Sequence, residues 1–237
     1  MPIRIKDRLK KTAYFLSISF LFCFHTNAQK GLPQVEILTS GNETSLRGLS
    51  VVNDNVVWVS GSKGTVGKST NGGKNWKWFS VKGFEKKDFR DIEAFDATTA
   101  VIISIDEPAY ILKTNDGGET WKVVYENKTK GMFLDAMEFW NEQSGIVIGD
   151  PIDGRFFVVR SFDGGSTWRD VPFDNRPAAD SGEACFAASG TNVRALDRDE
   201  AVPIGLILGV NCPKALRPLE CIPSVDDSTF AVKTLLG

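Results

Sequence analysis

The chain reads as an all-β protein, a β-propeller of four-stranded antiparallel blades that is incomplete here, about three and a half blades of a seven-bladed ring. Three observations predict it. An eight-residue box recurs as Ser69-Thr-Asn-Gly-Gly-Lys-Asn-Trp76, Thr114-Asn-Asp-Gly-Gly-Glu-Thr-Trp121 and Ser161-Phe-Asp-Gly-Gly-Ser-Thr-Trp168, with its tryptophans 45 and 47 residues apart. A fixed period of that size marks a repeat architecture. Short β-branched and aromatic runs flank each box, and no helical periodicity competes with them.

The elements follow in order. Before the first box, Val56-Val-Trp-Val-Ser60 and Thr65-Val-Gly-Lys68 form two short strands around a Gly-rich turn, and Lys77-Trp-Phe79 continues after it. The second unit repeats this with Ala100-Val-Ile-Ile-Ser104, Tyr110-Ile-Leu-Lys113 and Lys122-Val-Val-Tyr125. The third does so with Gly145-Ile-Val-Ile-Gly149, Phe156-Phe-Val-Val-Arg160 and Arg169-Asp-Val171. Within each box a hydroxylated residue, then Asn or Asp, then Gly-Gly, specifies a tight turn in which glycine supplies positive φ and the Asx side chain bonds back onto its own backbone. The closing Trp is a large amphipathic anchor for the next strand. Four antiparallel strands per ~40–50 residues is a propeller blade.

These boxes resemble the Asp-box, or bacterial-neuraminidase repeat, of pattern Ser-x-Asp-x-Gly-x-Thr-Trp. The third copy matches every fixed position through Ser161, Asp163, Gly165, Thr167 and Trp168. The second has Thr114 in place of Ser beside Asp116, Gly118 and Trp121, and the first has Ser69, Asn71, Gly73 and Trp76, with Asn71 for Asp and Asn75 for Thr. The resemblance covers roughly residues 45–175 and is nearest to the photosystem II stability/assembly factor-like group of the sialidase superfamily. It implies a propeller in which the box residues are structural. It leaves two functions of different class: a non-catalytic binding or assembly platform, and a sialidase-like glycoside hydrolase or glycan-binding protein.

Composition narrows the classes. Net charge is −2 with no block of like charge past the N-terminus, which argues against a nucleic-acid partner. Arg4, Lys6, Arg8, Lys10 and Lys11 precede an apolar run from Ala13 to Phe24 and the small-x-small site Thr26-Asn-Ala28. This is the plan of a secretory signal over residues 1–28, with Gln29 the first mature residue and no stable membrane anchor after cleavage. The expected location is periplasmic or extracellular. The apolar run falls short of the ~20 residues a membrane span needs. The mature chain then holds Cys185, Cys212 and Cys221, an odd number, and either Cys212 and Cys221 pair or all three stay free.

The single histidine, His25, lies in the signal, so a Ser-His-Asp or Cys-His nucleophile system and a His-ligated zinc centre are both excluded. No phosphate-binding loop or dinucleotide fingerprint is present; Gly61-Ser-Lys-Gly64 is a hairpin turn. No cofactor or metal is expected. Sialidase-like chemistry needs an arginine cluster and a Tyr-Glu pair, and only Tyr110 and Tyr125 remain in the mature chain, both placed on outer strands. Paired carboxylates among Asp91, Asp135, Glu138 and Asp150 keep a hydrolase open.

The innermost strands carry the candidate binding site. Leu46-Arg-Gly-Leu49, Phe89-Arg-Asp-Ile92 and Phe133-Leu-Asp-Ala136 align at steps of 43 and 44, and a fourth start, Glu183-Ala-Cys-Phe186, follows. This alignment puts Arg47 and Arg90 at one repeat position and Asp91 and Asp135 at the next. With Glu138 they are expected to charge the mouth of the central channel, where a protein or glycan would dock or where the charges would pair with one another. The partial propeller is expected over residues 29–200. From about Pro203 the composition turns proline-rich and boxless, so residues 201–237 read as a divergent tail, the mark of a truncation or frame change.

Overall fold

The computed structural model describes Ile37, residues 43–185, Val193, and the backbone of residues 194–196, 200–202, 219–223 and 230–234. The signal segment, Cys212 and the side chain of Cys221 lie outside the described residues. Among the described residues, no helix is long and apolar enough to cross a membrane.

The first sheet is a meander of β1 (Leu46–Val51), β2 (Val57–Gly61), β3 (Thr65–Ser69) and β4 (Lys77–Ser80). The second comprises β5 (Phe89–Ala94), β6 (Ala100–Ser104), β7 (Ala109–Thr114) and β8 (Lys122–Asn127). The third comprises β9 (Leu134–Phe139), β10 (Gly145–Ile152), β11 (Arg155–Ser161) and β12 (Arg169–Asp170). All pairings are antiparallel. Each box spans the turn from the third strand to the fourth. A fourth sheet, β13 (Arg194–Leu196), β14 (Glu200–Val202), β15 (Leu219–Pro223) and β16 (Phe230–Thr234), takes its last two strands from the boxless segment.

The first strands of successive sheets lie side by side, β1 against β5, β5 against β9 and β9 against β13, so the sheets radiate from their first strands as propeller blades do. The core lies in the seams. Trp58, Val66 and Val81 of blade 1 close on Phe89, Ile92, Ala94, Ile102 and Leu112 of blade 2. The opposite face of blade 2, with Val101, Ile103 and Ile111, closes on Leu134, Met137, Val147, Phe157 and Trp168 of blade 3. Ala136, Ile146, Ile148 and Val158 on the far face of blade 3 meet Cys185 and Val193. Middle strands are therefore covered on both faces and read as continuous apolar runs, as in the fully buried β6, whereas the outermost β4, β8 and β12 are half-exposed or exposed.

Register corrects the expected alignment of the third blade. Phe89 pairs with Ser104 and Leu134 with Gly149, while Ala94 pairs with Ala100 and Phe139 with Gly145. Leu134 is thus the counterpart of Phe89, and Asp135 takes the position of Arg90 rather than that of Asp91. The cause is a β-bulge at the second residue of each inner strand: the ladder skips Arg47, Arg90 and Asp135 in turn.

Candidate functional site

The bulges bring Arg47, Arg90 and Asp135 to the same end of three adjacent inner strands. A bulged residue leaves the ladder and re-aims its side chain. Arg47 is half-buried, and its Nε makes no hydrogen bond. Arg90 pairs with Asp88 at 3.1 Å. Asp135 is fully buried, next to Asp150 and Cys185, and the three donor atoms lie within 4.8 Å of one another. Asp150 is itself at a bulge of β10, and its Oδ1 accepts the Cys185 N–H at 2.9 Å. Burial pushes both the Asp150 carboxyl and the Cys185 thiol upward, so both favour their neutral forms. Cys185 is a free, buried thiol.

Asp91 does not share that end. Its buried carboxylate turns into the seam, where Oδ1 accepts the N–H of Ile92 at 2.8 Å and Oδ2 accepts the N–H of Met137 in the next blade at 2.8 Å. Burial raises its pKa well above the ordinary value, and the two amides only partly offset this. Glu138 is half-buried and is the counterpart of Ser50 and Glu93. At that level Ser50 Oγ accepts the Ala94 N–H at 3.0 Å and donates to Glu93 Oε1 at 3.5 Å. The inner strands therefore use much of their polarity to stitch one blade to the next.

The boxes are closed networks. In the third, Ser161 Oγ donates to Asp163 Oδ1 at 2.9 Å and accepts the Gly165 N–H at 2.8 Å. Asp163 then takes the N–H and hydroxyl of Thr167 at 2.9 and 2.6 Å. Trp168 closes the loop by donating Nε1–H to Gly165 O at 3.2 Å. Asp116 accepts from Thr114 and Thr120 in the same way, and the Thr120 hydroxyl, amide and Thr114 bonds hold its carboxyl down at about 2. Asn71 does the corresponding work between Ser69 and the Asn75 N–H, and Trp76 donates to Gly73 O at 2.9 Å. Trp121 departs from this plan, for its Nε1 is buried without a hydrogen bond.

A cation immediately before each box was not among the expected site residues. Lys68 Nζ crosses from blade 1 to the second box, donating to Gly117 O at 2.8 Å and to Ala97 O at 2.9 Å. Lys113 Nζ crosses from blade 2 to the third box, donating to Gly164 O at 2.7 Å and to Ser166 Oγ at 3.0 Å. Arg160 stands at the same place in blade 3, its guanidinium 5.2 Å from the Trp140 ring and 4.7 Å from that of Phe162. Burial lowers the pKa of both lysines. The signal was present in the sequence as Lys68-Ser69, Lys113-Thr114 and Arg160-Ser161. The tyrosines are structural too: Tyr110, on the third strand β7, packs edge-on against Phe84, and Tyr125 on β8 donates to Asp170 at 2.6 Å.

No protein-family model matches the chain. No curated protein matches it either. Solved structures do. The structure of YCF48 bound to a D1 peptide superposes with a TM-score of 0.53 at 14% identity, covering 82% of this chain and 54% of that one. YCF48 from Cyanidioschyzon merolae gives a TM-score of 0.52 at 16% identity, covering 84% and 59%. An ancestral GH74 enzyme gives 0.54 at 13% identity, covering 80% and 25%. This chain is a β-propeller by fold, and it spans a little over half the length of the YCF48 chains it resembles.

Proposed function

We propose that the chain is an exported, non-catalytic propeller that holds a protein partner at the bulged ends of its inner strands, beside Arg47 and Arg90. The observation that carries this reading is the use of Asp91: both of its oxygens accept backbone amides inside a seam, and its carboxyl is biased toward the neutral form. A glycosidase needs two carboxyls ~5–10 Å apart facing a sugar-sized cleft, and Asp91 is withdrawn from any such pair. The arginines suit a partner that presents carboxylates, since a guanidinium binds them in bidentate fashion. The likeness to a YCF48 that binds a peptide supports a protein partner over a glycan. The Asp-box character of the turns and the secretory signal belong to the same reading.

The test is capture from a cell-envelope extract with immobilised wild-type protein and with the Arg47→Glu, Arg90→Glu double variant, alongside turnover of a panel of aryl glycosides. The expected result is a partner lost from the double variant, with no turnover by either protein. Glycoside turnover, or unchanged capture by a folded double variant, overturns the proposal.

A further inference from the structure

The first box differs from its two sisters in the residues that close it. Asn71 and Asn75 stand where the others carry Asp116 with Thr120 and Asp163 with Thr167. Its backbone is nevertheless theirs: the Gly72 N–H donates to Asn55 O at 2.9 Å, as Gly117 does to Thr98 O and Gly164 to Gln143 O at 2.8 Å. Asn71 Oδ1 accepts the Ser69 hydroxyl at 3.1 Å and the Asn75 N–H at 2.9 Å, so two donors already polarise the amide carbon Cγ. The next residue, Gly72, is held at φ +68° and has no Cβ to shield its nitrogen from that carbon. The grip on the box differs too. Lys68 and Lys113 hold Gly117 O and Gly164 O from the preceding blade, whereas among the described residues no cation reaches Gly72 O. The first box is therefore the least restrained of the three, and Asn71 and Gly72 are only half-buried beside exposed Thr70 and Lys74.

We propose that Asn71 is a self-modifying site, at which the folded box converts the side-chain amide into the aspartate that the other two boxes encode. When the bond from Gly72 to Asn55 opens, the Gly72 nitrogen attacks Asn71 Cγ. The new N–Cγ bond closes a succinimide ring as the Cγ–Nδ2 bond breaks; the Gly72 proton passes through solvent to Nδ2, which leaves as ammonia. Water then opens the ring. Addition at Cγ breaks the bond to the Gly72 nitrogen and leaves an aspartate on an unaltered backbone. Addition at the backbone carbonyl gives isoaspartate, which routes the chain through the side chain. The Ser69 hydroxyl and the Asn75 N–H sit where charge develops on the Cγ oxygen in closure and in the first mode of opening, and preorganised donors favour the path that charges that oxygen. Isoaspartate would also lengthen the backbone and displace the Gly73 N–H from Ser69 Oγ, which it meets at 2.8 Å. The aspartate product instead gains a second acceptor oxygen, like the one Asp163 offers Thr167. The conversion is independent of any partner held at Arg47 and Arg90.

The experiment is peptide mapping of the whole protein by mass spectrometry, newly made and then held in warm, mildly alkaline buffer, with electron-transfer fragmentation to tell aspartate from isoaspartate. A parallel sample unfolded in guanidinium chloride shows the chemistry without the box. The expected result is conversion at Asn71 ahead of Asn55, Asn127 and Asn141, with aspartate the main product in the folded sample and isoaspartate in the unfolded one. Ser69→Ala removes one donor and is expected to shift the folded product ratio several-fold toward isoaspartate. Asn71→Asp is expected to match the aged protein in its denaturation midpoint, above that of the fresh wild type. An Asn71 still amidated in the folded protein once the unfolded sample has converted overturns the proposal. So does folded protein that yields mainly isoaspartate, or a product ratio unmoved in a folded Ser69→Ala variant.

Discussion

Asp91 and Met137 join the inner strands of adjacent blades: the Asp91 carboxylate accepts the Met137 N–H at 2.8 Å across the seam. The pairing has a pH signature. Burial, the largest influence, raises the Asp91 pKa well above its ordinary 3.8, so the folded protein holds this proton more tightly than the unfolded chain. The stability linked to that proton is fully present below the unfolded value and is lost as pH rises through the folded one. Asp91→Asn cannot ionise and lacks that decline. Urea midpoints of the two proteins, taken from acid to neutral pH, are expected to diverge in favour of the variant as pH rises. Parallel profiles would show that Asp91 does not titrate this way.

The box carboxylates carry the opposite sign. Burial pushes Asp163 up, but its Thr167 and Ser161 bonds outweigh that and leave it below the ordinary range. Its stabilisation is present at neutral pH and fades as pH falls through the folded value. Asp163→Ala is expected to lose about 1 kcal/mol at neutral pH, in the range of a lost turn or cap acceptor. Asp163→Asn should lose less, because Asn71 already fills this role in the first box. Chemical denaturation ranks the two variants, and equal stability of Asp163→Ala and wild type refutes the role.

Lys113→Met tests the cation that grips the neighbouring box. Removing the bonds to Gly164 O and Ser166 Oγ is expected to cost about 1–2 kcal/mol in chemical denaturation, with much of the loss recovered by Lys113→Arg. Arg160 occupies the matching place in blade 3, which is why arginine should serve. An arginine variant no better than methionine would argue that the aliphatic stem, not the charge, does the holding.

Gly165 is held at φ +78°, and an added Cβ would lie 2.8 Å from Val101 Cγ2 in the preceding blade. Gly154 has nearly the same φ, +79°, with nothing within 4 Å of its Cβ position. Gly154→Ala isolates the backbone penalty, about 1 kcal/mol. Gly165→Ala adds the intrusion into a packed seam, a further ~1–3 kcal/mol. Thermal melts that place the two variants level would remove the seam from the account.

The boxes and their flanking strands were legible because turn chemistry is local: the hydroxyl, the Asx and the two glycines meet within a few residues of each other. The register of the inner strands was not. Phe133 imitates Phe89 in sequence, and only the bulge at Asp135, set by the ladder to β10, shows that Leu134 is the true counterpart. A one-residue slip exchanges faces, so it misplaced Asp135 beside Asp91 and hid the seam role of Asp91. The basic residue before each box was visible, but the targets of Lys68 and Lys113 belong to another blade, 29 to 53 residues further on.

The lysine bonds also give the array a direction. Each cation is set in a blade already passed by the chain, and the carbonyl it grips belongs to the blade that comes after: Lys68 for Gly117, Lys113 for Gly164. During synthesis the gripping group therefore always exists before the loop it holds, and each new turn emerges toward a waiting ammonium. Read backwards the same array would offer loops with nothing yet to seize them, so growth from the N-terminus matches the order in which these seams can close.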